Sequence, residues 1–239
     1  MIEKLKKWMQ ESQSMVFFGG AGVSTESQIP DFRSDDGLYQ AQSEFSYRPE
    51  EMLSHDFLIN HADVFFKYYH SYILHPKAQP NPAHEALAEW EKKGNLSGVI
   101  TQNIDGLHQL AGSQNVMELH GSVHQNYCVD CKASYSLAFM VEAEGIPTCP
   151  KCGGMVRPDV VLYGEALNQD VTEAAVQAIR QADLLIIGGT SLVVYPAAGL
   201  LRYYKGKRLV LINKEPTRMD KKADLIFREP IGEVLKQTL

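Results

Sequence analysis

The sequence has no apolar run that approaches the roughly 20 residues of a membrane span. Its N-terminal segment, MIEKLKKWMQES, also lacks the apolar stretch of a signal peptide, so we expect a cytoplasmic protein with no membrane partner. Positive charge is not in excess, because 23 Lys and Arg stand against 29 Asp and Glu, a formal net charge of -6. This balance gives no electrostatic reason to expect nucleic acid as a partner.

Cysteine is scarce, and its four copies fall in two tight pairs. Cys128 and Cys131 form one Cys-x-x-Cys knuckle, and Cys149 and Cys152 form a second one after 17 intervening residues. This spacing predicts a zinc ribbon in which four thiolates close a tetrahedron and leave no position for water, so the zinc should be structural. A redox role for either pair is the alternative, and the presence of two equal knuckles disfavours it.

The most informative stretch is residues 15–34, MVFFGGAGVSTESQIPDFRS. A short apolar run bounded by glycine predicts a buried strand, and Gly20 and Gly22 allow the backbone to approach a phosphate closely. The third glycine of the dinucleotide fingerprint is missing, because Thr25 occupies its position. Taken alone, such a segment is more often a tight turn between a strand and a helix than a nucleotide-binding loop.

Strands and helices alternate along most of the chain. Asn81 and Pro82 begin a helix, and Asp170 with Glu173 resembles a capping box at the start of another. The alternation predicts an α/β fold, a Rossmann-like doubly wound parallel sheet with a small zinc-ribbon and helical module inserted.

Five polar turns follow predicted strands, at Gly20, Gln102, His120, Gly189 and Asn213. Because the carboxyl ends of parallel strands meet at one edge of a sheet, we expect these turns to line a common rim, where α/β sheets bind ligands. A histidine at such a rim can act as a base near neutral pH, although a single histidine is more often structural.

These motifs together resemble the bacterial-type members of the sirtuin family, NAD-dependent protein-lysine deacylases. The resemblance covers nearly the whole chain and is carried, in the family's order, by GAGVSTESQIPDFRS, TQNIDGLH, ELHGS, the two cysteine knuckles, RPDVVLYGE, GTSLVVYPAA and LIN. It implies NAD as co-substrate, one structural zinc, and the removal of acetyl groups from protein lysines to give free lysine, nicotinamide and acetyl-ADP-ribose.

The resemblance also assigns roles to residues. It implies that His120 is the general base and that Asn103 and Asp105 hold nicotinamide and water in place. The implied contacts to NAD are Ala21, Thr25, Phe32, Arg33, Gln102, Ile104, Asp105, His120, Thr190, Ser191, Asn213 and, more weakly, Ile231. The implied contacts to an acetyl-lysine protein, bound as an extended peptide, are Val161, Tyr163, Gly164, Glu165 and Val193.

The same resemblance implies the division of the chain. Residues 1–35, 76–121 and 158–239 should form the NAD-binding domain. Residues 36–75, a helical insertion, and residues 122–157, the zinc ribbon, should form a small domain, with the active cleft between the two. We expect a monomer.

Two positions depart from the family pattern: Gln28 stands where glycine is usual, and Tyr163 where phenylalanine is usual. Sirtuins that favour acidic acyl groups carry a Tyr followed by an Arg in the helical insertion. The aligned pair here is Phe66 and Tyr69, or Tyr68 and Ser71 with a gap, so no arginine is present. We therefore expect acetyl or longer neutral acyl groups.

Two other functions compete with deacetylation. One is the transfer of ADP-ribose from NAD to protein. The other is a zinc-ribbon adaptor that senses NAD without chemistry.

Overall fold

The computed structural model describes residues 1–31 and 42–239. Its strands are, in chain order, β1 (Met15–Gly19), β2 (Leu96–Thr101), β3 (Val116–Glu118), β4 (Gly121–Cys128), β5 (Ser134–Tyr135), β6 (Val156–Val160), β7 (Leu184–Gly188), β8 (Arg208–Ile212) and β9 (Leu225–Phe227). Its α-helices are α1 (Ile2–Glu11), α2 (Gln42–Phe45), α3 (Pro49–Met52), α4 (His55–Asn60), α5 (Ala62–Tyr68), α6 (Pro82–Lys92), α7 (Leu107–Leu110), α8 (Leu137–Glu142), α9 (Gln169–Gln181) and α10 (Ile231–Lys236).

In the described residues, six strands form one sheet in the order β3-β2-β1-β7-β8-β9, and every neighbouring pair is parallel. The order reverses beside β1, from which the chain builds outward first to one side and then to the other. This topology confirms the doubly wound sheet predicted from the alternation of elements, and it creates a crevice at the carboxyl ends of β1 and β7.

Alternate residues of the central strands face opposite sides of the sheet, and both sides are buried. Met15 and Phe17 lie in one apolar core with α1, α6 and α10, whereas Val16 and Phe18 lie in a second with α9 and the Ala197–Tyr203 3-10 helix. Because both faces are covered, the strands are continuously apolar, as a parallel sheet between two helical layers requires.

A third apolar core joins the helices α2 to α5 to the cysteine-bearing segment. Phe65, Phe66 and Tyr69 pack there with Val156 and with the buried sulfurs of Cys128 and Cys149. Strands β5, β4 and β6 form a small antiparallel sheet. Cys128 is the last residue of β4, whereas Cys149 lies in the segment between α8 and β6. The two segments therefore share one core, although α6, β2, α7 and β3 lie between them in the sequence.

Two helix starts show how local sequence sets the element boundaries. Asn81 caps α6 as predicted, because its side chain accepts from the amide of Ala83 at 2.9 Å. The predicted cap of α9 at Asp170 is wrong: Asn168 lies earlier, and its Oδ1 accepts from the amide of Val171 at 3.1 Å. Asn and Asp are equally good caps, so composition alone could not choose between two of them in neighbouring turns.

None of the helices in residues 1–31 and 42–239 has the length and apolar character that a membrane span needs.

The backbone explains why glycine is favoured at position 28. Gln28 ends a short 3-10 turn with φ 64° and ψ 22°, and its side chain is exposed. An L-residue in this left-handed region carries a steric penalty between Cβ and the following carbonyl, which glycine avoids.

We expect Gln28→Gly to raise the free energy of unfolding by about 1 kcal/mol, which corresponds to a melting temperature higher by about 3 °C. Thermal unfolding measures this, with Gln28→Ala as the matched control, because alanine removes the side chain but keeps the penalised Cβ. Equal stability of the glycine and alanine variants would contradict the explanation.

Candidate active site

Two glycine turns lie side by side at the centre of the sheet. The amide of Gly22, in the turn after β1, donates to the carbonyl of Gly189, in the turn after β7, at 2.8 Å. A Cβ on Gly22 would lie 2.8 Å from the Cα of Gly189, and one on Gly20 would lie 2.9 Å from the Cβ of Thr190. The glycines therefore allow a backbone approach that any side chain would block, and this contact forms the floor of the crevice.

A line of hydrogen bonds crosses the rim above this floor. The side-chain amide of Gln102, after β2, donates to the carbonyl of Gly19 at 3.2 Å and to the hydroxyl of Thr190 at 3.0 Å. The amide of Thr190 donates to Oδ1 of Asn213, after β8, at 2.9 Å. The turns after four strands are thus joined into one surface, as the sequence predicted from their positions.

His120 is fixed in a single orientation at one end of this line. Its Nδ1 lies 2.9 Å from the backbone carbonyl of Gln102. A carbonyl can only accept, so Nδ1 carries the hydrogen and Nε2 keeps a lone pair. Burial lowers the pKa of His120, and the hydrogen bond to the carbonyl opposes this shift. The imidazole is therefore neutral at pH 7 and able to take up a proton.

Asn103 and Asp105 are joined through Ser24, which the sequence analysis did not single out. The side-chain amide of Asn103 donates to the hydroxyl of Ser24 at 3.0 Å, and that hydroxyl donates to Asp105 Oδ2 at 2.7 Å. The other oxygen of Asp105 accepts from the amide of Leu107 at 2.9 Å. Ser24 is only 1% exposed. The sequence signal that could have identified Ser24 was a hydroxyl side chain inside a glycine-rich loop.

A pair of buried histidines lies behind Asp105. The rings of His84 and His108 stand edge to face with centroids 4.7 Å apart, and both are almost fully buried. In the described chain, Nε2 of His84 and both ring nitrogens of His108 have no hydrogen-bond partner. Burial lowers the pKa of each histidine, and the Asp105 carboxylate opposes the shift at His84.

The segment after β6 ends at Glu165, whose carboxylate already accepts several hydrogen bonds from within the protein. Glu165 accepts from the guanidinium of Arg157 at 2.5 and 3.0 Å, from the amide of Leu162 at 2.9 Å, and lies 2.8 Å from Nδ1 of His55. Burial raises the pKa of Glu165, but these hydrogen bonds outweigh it and bring the pKa to about 2. The side chain therefore locks the turn at residues 162–165.

This segment is also tied to the rim and to the helical insertion. The amide of Val161 donates to the carbonyl of His120, and the backbone of Tyr163 bonds to Leu53 and His55, all at 2.9 Å. The side chain of Tyr163 is 39% exposed, and that of Val193 is 55% exposed. Gly164, with φ 92°, forms the turn between Tyr163 and Glu165.

The remaining predicted contacts fall in different places. Ala21 and Thr25 lie in the short turns after β1, where the hydroxyl of Thr25 donates to the carbonyl of Gly22 at 3.1 Å. Ile104 packs against the third core, and Ser191 is exposed beside Thr190. Ile231 is 5% exposed, with its side chain in the core beside Gly188. Phe32 and Arg33 lie outside the described residues.

The four cysteines fit one zinc ion. The Sγ atoms of Cys128, Cys131, Cys149 and Cys152 all lie within 4.8 Å of one another, and none forms a disulfide. Zinc–sulfur bonds of about 2.3 Å in a tetrahedron place sulfurs at comparable separations. Four thiolates leave no open position, so this donor set suits a structural site.

Comparisons with known proteins agree with this geometry. The sequence profile described as the Sir2 family matches residues 20–196. An NAD-dependent protein deacetylase of Clostridium acetobutylicum is 57% identical over 239 residues, 100% of this chain and 98% of that protein.

Two solved structures are also similar. One described as a Sir2 homolog–NAD complex has a TM-score of 0.89 and 40% identity, and covers 99% of this chain and 91% of that chain. Another, described as Sir2 bound to acetylated peptide, has a TM-score of 0.87 and 36% identity, over 99% and 96% of the two chains.

The buried histidine pair predicts a loss of stability in mild acid. Both folded-state pKa values lie below the usual 6.5, so below that pH the unfolded chain binds protons that the folded protein does not. The stability is complete above pH 6.5 and is lost as the pH falls, by about 2.5 kcal/mol for each histidine near pH 4.5. Denaturant unfolding between these values measures the slope.

The matched comparison is the double variant His84→Gln, His108→Gln, for which we expect a flatter slope. Zinc release in acid affects both proteins alike, so the difference isolates the histidines. Glu165 does not interfere, because its stabilisation is lost only below its usual value of 4.5. Parallel pH profiles for the two proteins would refute this assignment.

Proposed function

The chain belongs to the Sir2 family, and we propose how its own residues carry out that family's reaction. It is an enzyme that removes acetyl groups from lysine side chains of proteins in an NAD-dependent reaction, giving free lysine, nicotinamide and acetyl-ADP-ribose. NAD supplies the ribose that receives the acetyl group and the nicotinamide that leaves. The protein's part is to bind both substrates, orient them and move protons.

His120 is the general base. The observation that carries this role is the hydrogen bond between its Nδ1 and the carbonyl of Gln102. That bond leaves Nε2 as the atom that accepts the proton of a substrate hydroxyl, and the lowered pKa keeps it unprotonated at pH 7. The amide of Val161 donates to the carbonyl of His120, and this hydrogen bond ties the backbone of the base to the segment that walls the lysine stem.

Asn103, Ser24 and Asp105 act as one unit that positions nicotinamide and water. Ser24 fixes the amide of Asn103 and one oxygen of Asp105 at once, and Leu107 fixes the other oxygen. Side chains whose rotamers are locked by hydrogen bonds lose little entropy when a ligand arrives, so the acceleration comes largely from positioning.

The other groups around the crevice hold the dinucleotide. The glycine floor supplies backbone amides for the phosphates. The hydrogen-bonded side chains across the rim supply polar groups for the ribose and adenosine portions. We assign these contacts to Ala21, Thr25, Phe32, Arg33, Gln102, Ile104, Thr190, Ser191, Asn213 and the backbone of Ile231.

The substrate is an acetyl-lysine protein segment, bound as an extended strand. Val161 and Tyr163 wall the lysine stem, while the backbone of Gly164, Glu165 and Val193 pairs with the peptide. The four bonds to the Glu165 carboxylate support this division, because they commit the side chain to the fold. The amide of Glu165 also donates within the fold, to the carbonyl of Leu162 at 3.0 Å, so we assign the peptide contact of Glu165 to its backbone carbonyl.

We assign residues 1–35, 76–121 and 158–239 to the NAD-binding domain, and 36–75 with 122–157 to the small domain. The shared apolar core of the two insertions supports this division. A cytoplasmic location is supported by four cysteines without a disulfide. We propose a monomer.

The reaction is tested by nicotinamide release from NAD with an acetylated peptide. We expect release only when both substrates are present, and we expect His120→Ala to reduce kcat at least 100-fold while NAD binding, measured by calorimetry, persists. The physical reason is that the variant removes the proton acceptor but keeps the glycine floor.

Other outcomes separate the competing functions. Labelled ADP-ribose on protein, without peptide deacetylation, would instead indicate ADP-ribosyl transfer. NAD binding without any turnover by the unaltered enzyme would indicate an adaptor and overturn the proposal.

The acyl preference follows from the lack of an arginine at the aligned positions of the helical insertion. Phe66, Tyr68 and Tyr69 are fully buried in the described structure, and the sequence supplies no arginine at either aligned position. A carboxylate in such a pocket would be desolvated without a partner. We expect kcat/KM for succinyl-lysine to be at least 10-fold below that for acetyl- or butyryl-lysine on one peptide. Equal values would show that another group neutralises the carboxylate.

A further inference from the structure

A tyrosine hydroxyl points at one of the zinc-site sulfurs. Tyr135, at the end of the short strand β5, has its hydroxyl oxygen 2.9 Å from Sγ of Cys149. The ring packs on Phe139 with centroids 4.4 Å apart, which fixes the direction of the hydroxyl. Among the described residues, no other side chain outside the four cysteines makes a hydrogen bond to these sulfurs.

The chemistry of the donor set decides the direction of this bond. A cysteine that ligates zinc is a thiolate and has no hydrogen to give, so the hydroxyl must be the donor. One Zn²⁺ with four thiolates carries a net charge of about −2, and Cys149 is buried. Charge held away from water is stabilised only where donors are directed at it.

The cation beside the first knuckle does not supply this donor. Lys132 follows the first knuckle directly, but its ammonium donates to the carbonyl of Val129 at 2.8 Å and lies 5.6 Å from the ring centroid of Tyr127. The neutral hydroxyl of Tyr135 is therefore the side-chain group that the fold brings to the buried sulfur.

We propose that Tyr135 is a positioning residue of the zinc site, whose hydroxyl donates to the Cys149 thiolate and slows release of the metal. Groups hydrogen-bonded to metal ligands typically change metal affinity by 10- to 100-fold. The proposal concerns the metal site alone, so it does not depend on the roles assigned to His120 and its neighbours.

The zinc site is also connected, through the third apolar core, to the segment that we propose as the substrate wall. Cys128 and Cys149 are buried in the same apolar cluster as Val160 and Leu162, the residues on either side of Val161. A metal that leaves more readily would loosen this cluster, because a structural zinc contributes directly to the folding of its module.

Tyr135→Phe tests the proposal, since it removes one oxygen and keeps the ring on Phe139. We expect zinc release to a chromogenic chelator at least 5-fold faster than in the unaltered protein. The matched control is Tyr127→Phe, which removes a tyrosine hydroxyl from the same small sheet, next to Cys128, without touching the bond to Cys149. The control should release zinc at the original rate.

A spectrum of the cobalt-substituted protein separates hydrogen bonding from packing. Loss of a donor to a thiolate makes the sulfur more electron-rich, so the sulfur-to-cobalt charge-transfer band should shift to lower energy in Tyr135→Phe only. Saturating cobalt keeps the module folded, so this readout holds even for a variant that loses zinc quickly. Unchanged release, or faster release with an unchanged band, would overturn the proposal.

Discussion

The contact between two glycine turns, after β1 and after β7, is the constraint on which the rest of the site depends. It brings the backbone of Gly22 onto that of Gly189, at a distance that no Cβ would permit. The parallel ladders pair Gly19 with Thr101 and Gly188 with Ile212, so the turns after β2 and β8 leave the sheet at the same edge. Gln102, Thr190 and Asn213 then join those turns by hydrogen bonds, and His120 takes its orientation from the backbone of Gln102. The proposed base is therefore aligned by the sheet itself.

The small module completes the crevice through a different kind of interaction. Its core is assembled from two segments that are far apart in the sequence, and the cysteine sulfurs occupy part of it. Zinc binding adds folding free energy to this module. This stabilisation extends along β6 to residues 161–165, which contact both the backbone of His120 and the loop at residues 53–55. A metal site whose four cysteines leave no open position thus supports the segment that we propose as one wall of the site.

Much of the fold and of the site could be predicted from the sequence, because several signals are local. The buried strands, the Asn81 cap and the paired cysteine knuckles each follow from residues close together in the chain. The features that the sequence did not predict were missed for equally specific reasons. The cap of α9 lies at Asn168 because two good capping residues compete, and Gln28 became intelligible only from its left-handed φ angle. Ser24 was missed because its two partners lie about 80 positions away, and its role exists only through them.

The sequence by itself determined the sheet class, the zinc ligands and the set of polar turns, since periodicity, knuckle spacing and strand-end position require no knowledge of distant contacts. Tertiary structure alone decided which of these groups can act together. It placed His84 and His108 ring to ring behind Asp105, committed the Glu165 carboxylate to Arg157, and directed the Tyr135 hydroxyl at Cys149. The physical reason is that burial and hydrogen-bond partnership belong to pairs of residues brought together by folding, and no pattern along the chain records them.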